Sequence, residues 1–302
     1  MEDIKFIING KRESDPNLQN SIKKVETQRG KKLNIYFTKG EDGEIKREIS
    51  NESNLKRVVA GGGDGTINQV LNAIKSSKSD LELAILPLGT ANDFANSASI
   101  PLDIESAINL AIDGDTFGVD VGIVNGKYFL NVATGGFGAQ ITVETPPALK
   151  NLLGGKAYAL TGVLKLFSFS PIQAELIVDG YQIQSNAISI AVCNGRQAGG
   201  GVVLSPEASI DDGKLDVALF TLDAISLPPH LLAPQKSIFS NLSFRKIFRV
   251  SSVKFIPKSG LKLMNLDGEP YEAENFEFEI KQADTKVVLP PKSPLLLNGG
   301  RA

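Results

Sequence analysis

The 302-residue sequence contains one histidine, one cysteine and no tryptophan. A disulfide framework, a zinc cluster or a CxxC redox pair needs more than His230 and Cys193 can provide. A serine or cysteine triad would have to take His230 as its base. Catalysis by this chain therefore falls to carboxylates, lysines, backbone groups or a bound metal. An excess of basic charge is also missing. The 32 Lys and Arg against 34 Asp and Glu leave a net charge of -2. Nucleic-acid binders are usually strongly basic, so no nucleic-acid partner is expected. No run approaches the roughly 18 apolar residues of a membrane-spanning helix. The opening MEDIKFIING has neither the basic start nor the long apolar stretch of a secretory signal, so the expected compartment is the cytoplasm.

With 42% hydrophobic and 22% charged residues, the composition is that of an ordinary globular protein. At roughly 150 residues per domain, the length suggests about two domains. The first 125 or so residues alternate between strand and helix patterns. Lys5–Gly10 reads as a strand. Asp15 and Pro16 form a helix start, and Leu18, Ile22 and Val25 follow at helical spacing. Leu33–Phe37, Arg57–Ala60 and Leu83–Leu86 read as further strands. Ile67, Val70, Leu71 and Ile74 form a helical stripe, as do Ile104, Ala107, Ile108, Ala111 and Ile112. Residues 39–54 give no clear element. This alternation implies a parallel sheet covered by helices.

The pattern then changes. Phe117–Val124 and Lys127–Val132 flank Asn125-Gly126, a strong hairpin signal. Residues 172–192, 214–222 and parts of 250–289 alternate as strands, with Ile188, Ile190 and Val192 on one face. Only 146–169 reads as helical. An antiparallel sandwich or barrel-like sheet follows for the second half. The apolar end Leu289–Leu297, set between prolines, is expected to pack back onto the body.

Two loops carry the chemistry. In RVVAGGGDGTINQV (57–70) a strand runs into a glycine-rich turn and then a helix. Such a turn lets a ligand approach the backbone, and the helix start favours an anion such as phosphate. A ligand-free strand–helix turn is the plainer alternative. The loop is neither a Walker A motif nor a GxGxxG fingerprint. Asp64 within it would repel phosphate unless it faces a magnesium ion, directly or through water. LPLGTANDF (86–94) again follows a strand, and Asp93 is placed to share that metal; its plainer role is a helix cap.

GGGDGTIN with LPLGTANDFA resembles the diacylglycerol kinase catalytic family. NVATGGFGA (131–139), NGRQAGGG (194–201) and NLDGEP (265–270) resemble its bacterial YegS-type branch, so the likeness spans essentially the whole chain. The resemblance implies an N-terminal α/β domain of the NAD kinase and phosphofructokinase type and a C-terminal antiparallel β-sandwich. The domains would be 1–129 with the returning tail 285–302, and 130–284. It implies transfer of the γ-phosphate of ATP to a lipid hydroxyl in phospholipid metabolism, with phosphatidylglycerol the first choice and diacylglycerol or another lipid alcohol next. An NAD-kinase-like enzyme and a non-catalytic nucleotide- or lipid-binding regulator are the remaining readings.

Nucleotide contacts carry over to Thr38, to Gly63, Asp64, Gly65, Thr66, Ile67, Asn68 and Gln69, and to Thr90. Gln69 stands where many relatives carry glutamate. Asp64 and Asp93 would hold magnesium. Glu269 carries over as the proton acceptor, with Asp267 second. A further metal site, for magnesium or calcium, carries over to the carbonyls of Ser209 and Lys214 and to Asp212; an Asp-Gly turn is the alternative there. Residues 224–266 hold seven basic and no acidic residues, beside many apolar ones. That suits peripheral contact with an anionic membrane.

Overall fold

The computed structural model describes residues 3–77, 80–136, 172–221, 245–258 and 261–297. The chain divides into two compact units, residues 1–119 with 283–302, and residues 120–282.

The first unit has β1 (Ile4–Ile8), α1 (Pro16–Arg29), β2 (Asn34–Phe37), α2 (Glu44–Ser50), β3 (Arg57–Gly62), α3 (Asp64–Ser77), β4 (Glu82–Pro87), α4 (Asp93–Ala98) and α5 (Ile104–Asp113). The strands are parallel in the order β2-β1-β3-β4. Every residue of β1, β3 and β4 is buried, as expected of a parallel sheet covered on both faces. One face packs Phe6, Ile8, Val59, Ala84 and Leu86 against Leu18, Ile22 and Val25 of α1 and Ala107, Ile108 and Ala111 of α5. Asp15 caps α1 by accepting the N–H groups of Asn17 and Leu18, with Pro16 at the first helical position. At the opposite strand ends, buried Arg57 pairs with Glu82 at 2.7 Å and donates to the carbonyls of Ala111, Ile112 and Gly114. The guanidinium thus satisfies the open C-terminus of α5. The helix α2 fills the polar stretch that carries no apolar periodicity. It is held by Glu44, which accepts from the N–H groups of Lys39 and Gly40 and from the Tyr36 hydroxyl.

The second unit is antiparallel. Its strands are β5 (Thr116–Val124), which begins in the first unit, β6 (Lys127–Phe129), β7 (Val132–Gly136), β8 (Ile172–Val178), β9 (Tyr181–Cys193), β10 (Gln197–Ala198), β11 (Val202–Val203), β12 (Leu215–Thr221), β13 (Arg245–Val250), β14 (Ser252–Pro257), β15 (Leu263–Leu266), β16 (Glu269–Glu272) and β17 (Phe276–Val288). The first half of β9 pairs with β8. Its second half lies between β7 and β12. A bulge opposite Phe220 and Thr221 separates the halves. The extra residue flips the strand's alternation. Ile183 and Ala187 face the core before it, and Ile190 and Val192 after it. The expectation that Ile188 shares a face with Ile190 and Val192 therefore fails, because the bulge falls between them.

Both residues of the Asn125-Gly126 turn have positive φ, 46° and 83°, as a two-residue type I′ hairpin requires. β17 ends in the first unit, where Lys286 and Val287 pair parallel with β4. The tail follows within that unit. Leu289, Leu295 and Leu296 are buried, and the Leu289 N–H donates to the Asp115 carbonyl. The α/β domain plus antiparallel sandwich read from the sequence is the observed architecture. The expected helix at 146–169 and His230 lie outside the described residues. Cys193 is a fully buried core residue whose thiol is pushed up by burial.

Candidate active site

Ligands of open parallel sheets bind beyond the carboxyl ends of the strands. In the first unit that edge gathers the residues after β1, β2, β3 and β4. The Asn9 N–H donates to the Gly61 carbonyl, and the Thr38 N–H donates to the Ile8 carbonyl. The Gly10 N–H donates to the Thr38 hydroxyl oxygen at 3.1 Å, which leaves that hydroxyl its own proton to give. Gly10 is fixed by sterics, since a Cβ there would lie 1.9 Å from the Thr38 carbonyl oxygen. Thr90 is exposed at the same edge, as is Gln69 on α3. Asn68 is buried and accepts from the Asn72 amide.

The glycines differ in their reasons. None of Gly61, Gly62, Gly63 and Gly65 has positive φ, so none is required by backbone dihedrals. A Cβ on Gly61 would meet Ile8 at 2.8 Å, and one on Gly62 would meet Thr66 at 2.3 Å. A Cβ on Gly89 would lie 2.4 Å from the Gly63 Cα, so the two loops touch backbone to backbone. Gly63 itself has room: its Cβ would reach only Gly89, at an ordinary 3.4 Å. Packing among the described residues thus leaves the bare backbone of Gly63 unexplained, and it sits at the start of α3, whose first N–H groups have no intrahelical partner.

Asp64 joins the two loops. Its carboxylate accepts the N–H of Asp93 and the N–H of Phe94, both at 3.1 Å. The first turn of α4 is therefore capped from a distant loop and not by Asn92. Asn92 instead takes a left-handed conformation and closes its own turn on Gly89 through two hydrogen bonds. Burial pushes the Asp64 carboxyl above the usual range; the Asp93 charge adds to this, and the two N–H donors oppose it. Two buried acidic groups side by side at the start of α3 and α4 fit a cation held at Asp64 and Asp93.

The turn of the NLDGEP segment belongs to the second unit. Asp267 and Gly268 have φ of 50° and 102°, a type I′ turn between β15 and β16. Asp267 is buried, and its carboxylate accepts three backbone N–H groups: Leu130 at 2.6 Å, Asn131 at 3.0 Å and Val132 at 2.8 Å. The Asp267 carboxylate therefore clamps the entry of β7. Glu269, two residues on, opens β16 half-exposed. Asn265 steadies the turn by accepting the Gly268 N–H.

Ser209, Asp212 and Lys214 lie in the turn before β12. Asp212 accepts the Lys214 N–H at 2.9 Å, closing the Asp-Gly turn. Burial raises its carboxyl to about 6, opposed by this hydrogen bond and by the Arg249 charge, while Asp216 and Asp120 push further upward. Arg249 stands 3.9 Å from Asp212 but is committed to Asp216, at 2.8 and 2.9 Å. A desolvated carboxylate beside two further acids fits a cation there. Among the described residues no three His, Cys, Asp or Glu side chains are grouped to hold a metal, so such an ion would rely on backbone carbonyls. Asp120, which the sequence reading passed over, is buried and accepts the Gly213 N–H at 2.6 Å, fixing this turn. A lone acid inside the apolar run Val119–Ile123 was its signal, because a buried carboxylate needs partners. Asn9, Gly10 and Asn131 were also missed.

The basic stretch 224–266 looks different in three dimensions where it is described. Arg249 pairs with Asp216, Lys254 with Glu277 and Lys262 with Glu274, while Arg245 is buried on the carbonyls of Val203 and Leu204. Neighbouring strands, and for Lys262 the turn between β16 and β17, supply the acids that these residues pair with.

The diacylglycerol kinase catalytic domain model matches residues 3–124, and that of the YegS C-terminal NAD kinase beta sandwich-like domain matches 131–281. A protein of Shewanella frigidimarina named as a probable YegS-like lipid kinase is 37% identical, covering 97% of this chain and 96% of its own. One of Klebsiella pneumoniae with the same name is 40% identical, covering 96% and 97%. A crystal structure of a diacylglycerol kinase from Bacillus anthracis, 24% identical, superposes with a TM-score of 0.75 over 96% of this chain and 98% of that one, and so shares the fold.

Proposed function

Because this chain belongs to the diacylglycerol kinase catalytic family, in its YegS-like branch, it is an ATP-dependent lipid kinase, and we propose that phosphatidylglycerol is its acceptor. That choice rests on the sequence resemblance, with diacylglycerol and other lipid alcohols next. The observation that carries the nucleotide assignment is that Gly63, at a helix start on the binding edge of the sheet, could hold a Cβ in ordinary contact with Gly89 and yet is glycine.

In this reading the N–H groups at the start of α3 and the Thr38 and Thr90 hydroxyls hold the ATP phosphates, with Gly63 to Gln69 lining the nucleotide. Asp64 and Asp93 would hold magnesium, which when bound would neutralise phosphate charge. Glu269 accepts the proton of the lipid hydroxyl as its oxygen bonds to the γ-phosphorus and the bond to ADP breaks. Asp267 positions Glu269 by fixing the turn. Ser209, Asp212 and Lys214 would hold a second ion, which would steady the turn before β12. The enzyme works at the cytoplasmic face of the membrane; among the described residues no helix is long and apolar enough to cross it.

The test is transfer from radiolabelled ATP to a panel of phosphatidylglycerol, diacylglycerol, other lipid alcohols and NAD by wild type, Asp64→Ala and Glu269→Ala. Labelled phosphatidylglycerol that disappears in both variants supports the proposal. Label on another lipid only, on NAD only, or unchanged transfer in the variants would overturn it.

A further inference from the structure

Leu130, Asn131 and Val132 lead into β7, and Asp267 accepts the N–H group of each. The Asp267 N–H donates back to the Val132 carbonyl at 3.1 Å. The carbonyls of the first two residues are held by Asn194, which directly follows β9. Its side-chain amide donates to the Leu130 carbonyl at 2.6 Å and to the Asp120 carbonyl at 2.9 Å. Its backbone N–H donates to the Asn131 carbonyl at 2.9 Å, and the Gly195 N–H donates to the same oxygen at 2.8 Å. Leu130 and Asn131 thus give their N–H groups to Asp267 and their carbonyls to Asn194. A Cβ on Gly195 would lie 2.1 Å from the Asn131 side-chain oxygen, so the join is tight.

The side chain at this position is used for its donors. One amide NH2 has two protons to give, and they serve two carbonyls, one on β5 and one just past β6. Turned over, the amide would aim its oxygen at both carbonyl oxygens, so its orientation is fixed. The Asn194 oxygen is left fully buried with no hydrogen-bond partner among the described residues. An unpaired buried oxygen costs stability. An apolar residue of similar size would avoid that cost but would leave the carbonyls of Asp120 and Leu130 without this donor. Asp120 is a firm anchor, buried, with its own N–H on the Ile210 carbonyl.

We propose that Asn194 is a positioning residue for phosphoryl transfer: it fixes residues 130–132 from the carbonyl side, so that Asp267, and through it Glu269, is held in one place for the lipid hydroxyl. The inference rests on the lipid-kinase reading, in which Glu269 accepts the proton. Asn194 acts through backbone carbonyls and the Asp267 carboxylate, without touching the reacting atoms. The residues assigned to ATP belong to the first unit, and Asn194 belongs to the second. Its loss should therefore slow the transfer step and leave ATP binding alone.

The experiment uses the full chain as wild type, Asn194→Ala, Asn194→Ser, Glu269→Gln, and Asn194→Ala combined with Glu269→Gln. Leu219→Ala is the control, since it removes a fully buried core side chain elsewhere in the sandwich. Transfer from labelled ATP to phosphatidylglycerol and to diacylglycerol is measured at a temperature where each variant is folded by circular dichroism. Amide hydrogen exchange is followed on the same proteins. Asn194→Ala is expected to lower kcat about 10- to 100-fold with the KM for ATP unchanged. Asn194→Ser keeps one donor and is expected to fall between it and wild type. Exchange at the N–H groups of Leu130, Asn131 and Val132 should quicken in Asn194→Ala and not in Leu219→Ala. In the Glu269→Gln background Asn194→Ala should cost no further rate, because the two residues act as a unit. A kcat for Asn194→Ala no lower than that of Leu219→Ala, a matching rise in the KM for ATP, or full additivity with Glu269→Gln overturns the proposal. Should Asn194→Ala not fold, Asn194→Ser decides the same comparisons. Wild type that labels neither lipid refutes the underlying kinase reading instead, and exchange at the three amides still decides what Asn194 holds.

Discussion

Replacing Asp267 by asparagine separates the two carboxylates of the NLDGEP turn. Asparagine tolerates the left-handed conformation at this position, so the turn itself is not strained. Its amide oxygen can keep the N–H groups of Asn131 and Val132, which share one carboxylate oxygen of Asp267. The amide NH2 then faces the Leu130 N–H, donor against donor, where a 2.6 Å bond now stands. A hydrogen bond to a charged group contributes about 1.5–3 kcal/mol, and a buried donor left unpaired costs about as much as the bond contributed. We expect a loss of about 2–3 kcal/mol and a fall in Tm of roughly 5–10 °C. Glu269→Gln, at a half-exposed strand start, should move stability by no more than about 0.5 kcal/mol. Its transfer rate should fall about 100- to 10,000-fold. Calorimetric melting and transfer from labelled ATP read the two effects in parallel. Wild-type melting of Asp267→Asn, or the same pair of effects in both variants, would refute the division into clamp and base.

Gly63→Ala should fold normally but bind ATP at least about tenfold more weakly, by isothermal titration, because only a ligand needs that space. Gly89→Ala should lower both Tm and ATP affinity, since its Cβ meets the Gly63 Cα at 2.4 Å; equal behaviour of the two variants would contradict the steric argument. Asp212 has a folded pKa of about 6, raised above the ordinary carboxylate value. Its stabilising contribution is fully present below that ordinary value and is lost as pH rises through about 6. Without divalent ions, wild type should therefore gain stability relative to Asp212→Asn as pH falls from 7 to 4.5. Magnesium or calcium affinity at the site should fall over the same range, because proton and ion compete; flat profiles refute this. Leu289→Ala or Leu295→Ala, both fully buried, should each cost about 2–5 kcal/mol in urea unfolding, and a neutral result would mean that the tail is not part of the core.

Elements with a strong local signature were legible. Asp15-Pro16 marked the start of α1, and Asn125-Gly126 marked its hairpin, since caps and turns are set by the residues that form them. The unbroken burial of β1, β3 and β4 was foreshadowed by their short apolar runs. What escaped depends on distant partners. The α2 helix has no apolar stripe and is held by Glu44 reaching the loop after β2. The bulge in β9 carries no glycine or proline to announce it, so its alternation was read through as continuous. The basic stretch looked acid-free only because its partners Glu277, Glu274 and Asp216 are far along the chain or on the next strand.

The sequence by itself determined the class of chemistry and its machinery. With one histidine and one cysteine, phosphoryl transfer resting on glycine backbone, carboxylates and a metal was what the motifs could support. It also determined the alternation of parallel and antiparallel halves, because side-chain periodicity is a local property. Tertiary structure decided what each carboxylate does. Asp64 ties two loops together, Asp267 is occupied by three N–H groups, and Asp120 fixes a turn across the sandwich. Sequence cannot distinguish a carboxylate whose oxygens are taken from one that faces a substrate. That difference lies in which backbone donors the fold brings within 3 Å, and those donors come from residues as many as 137 positions away.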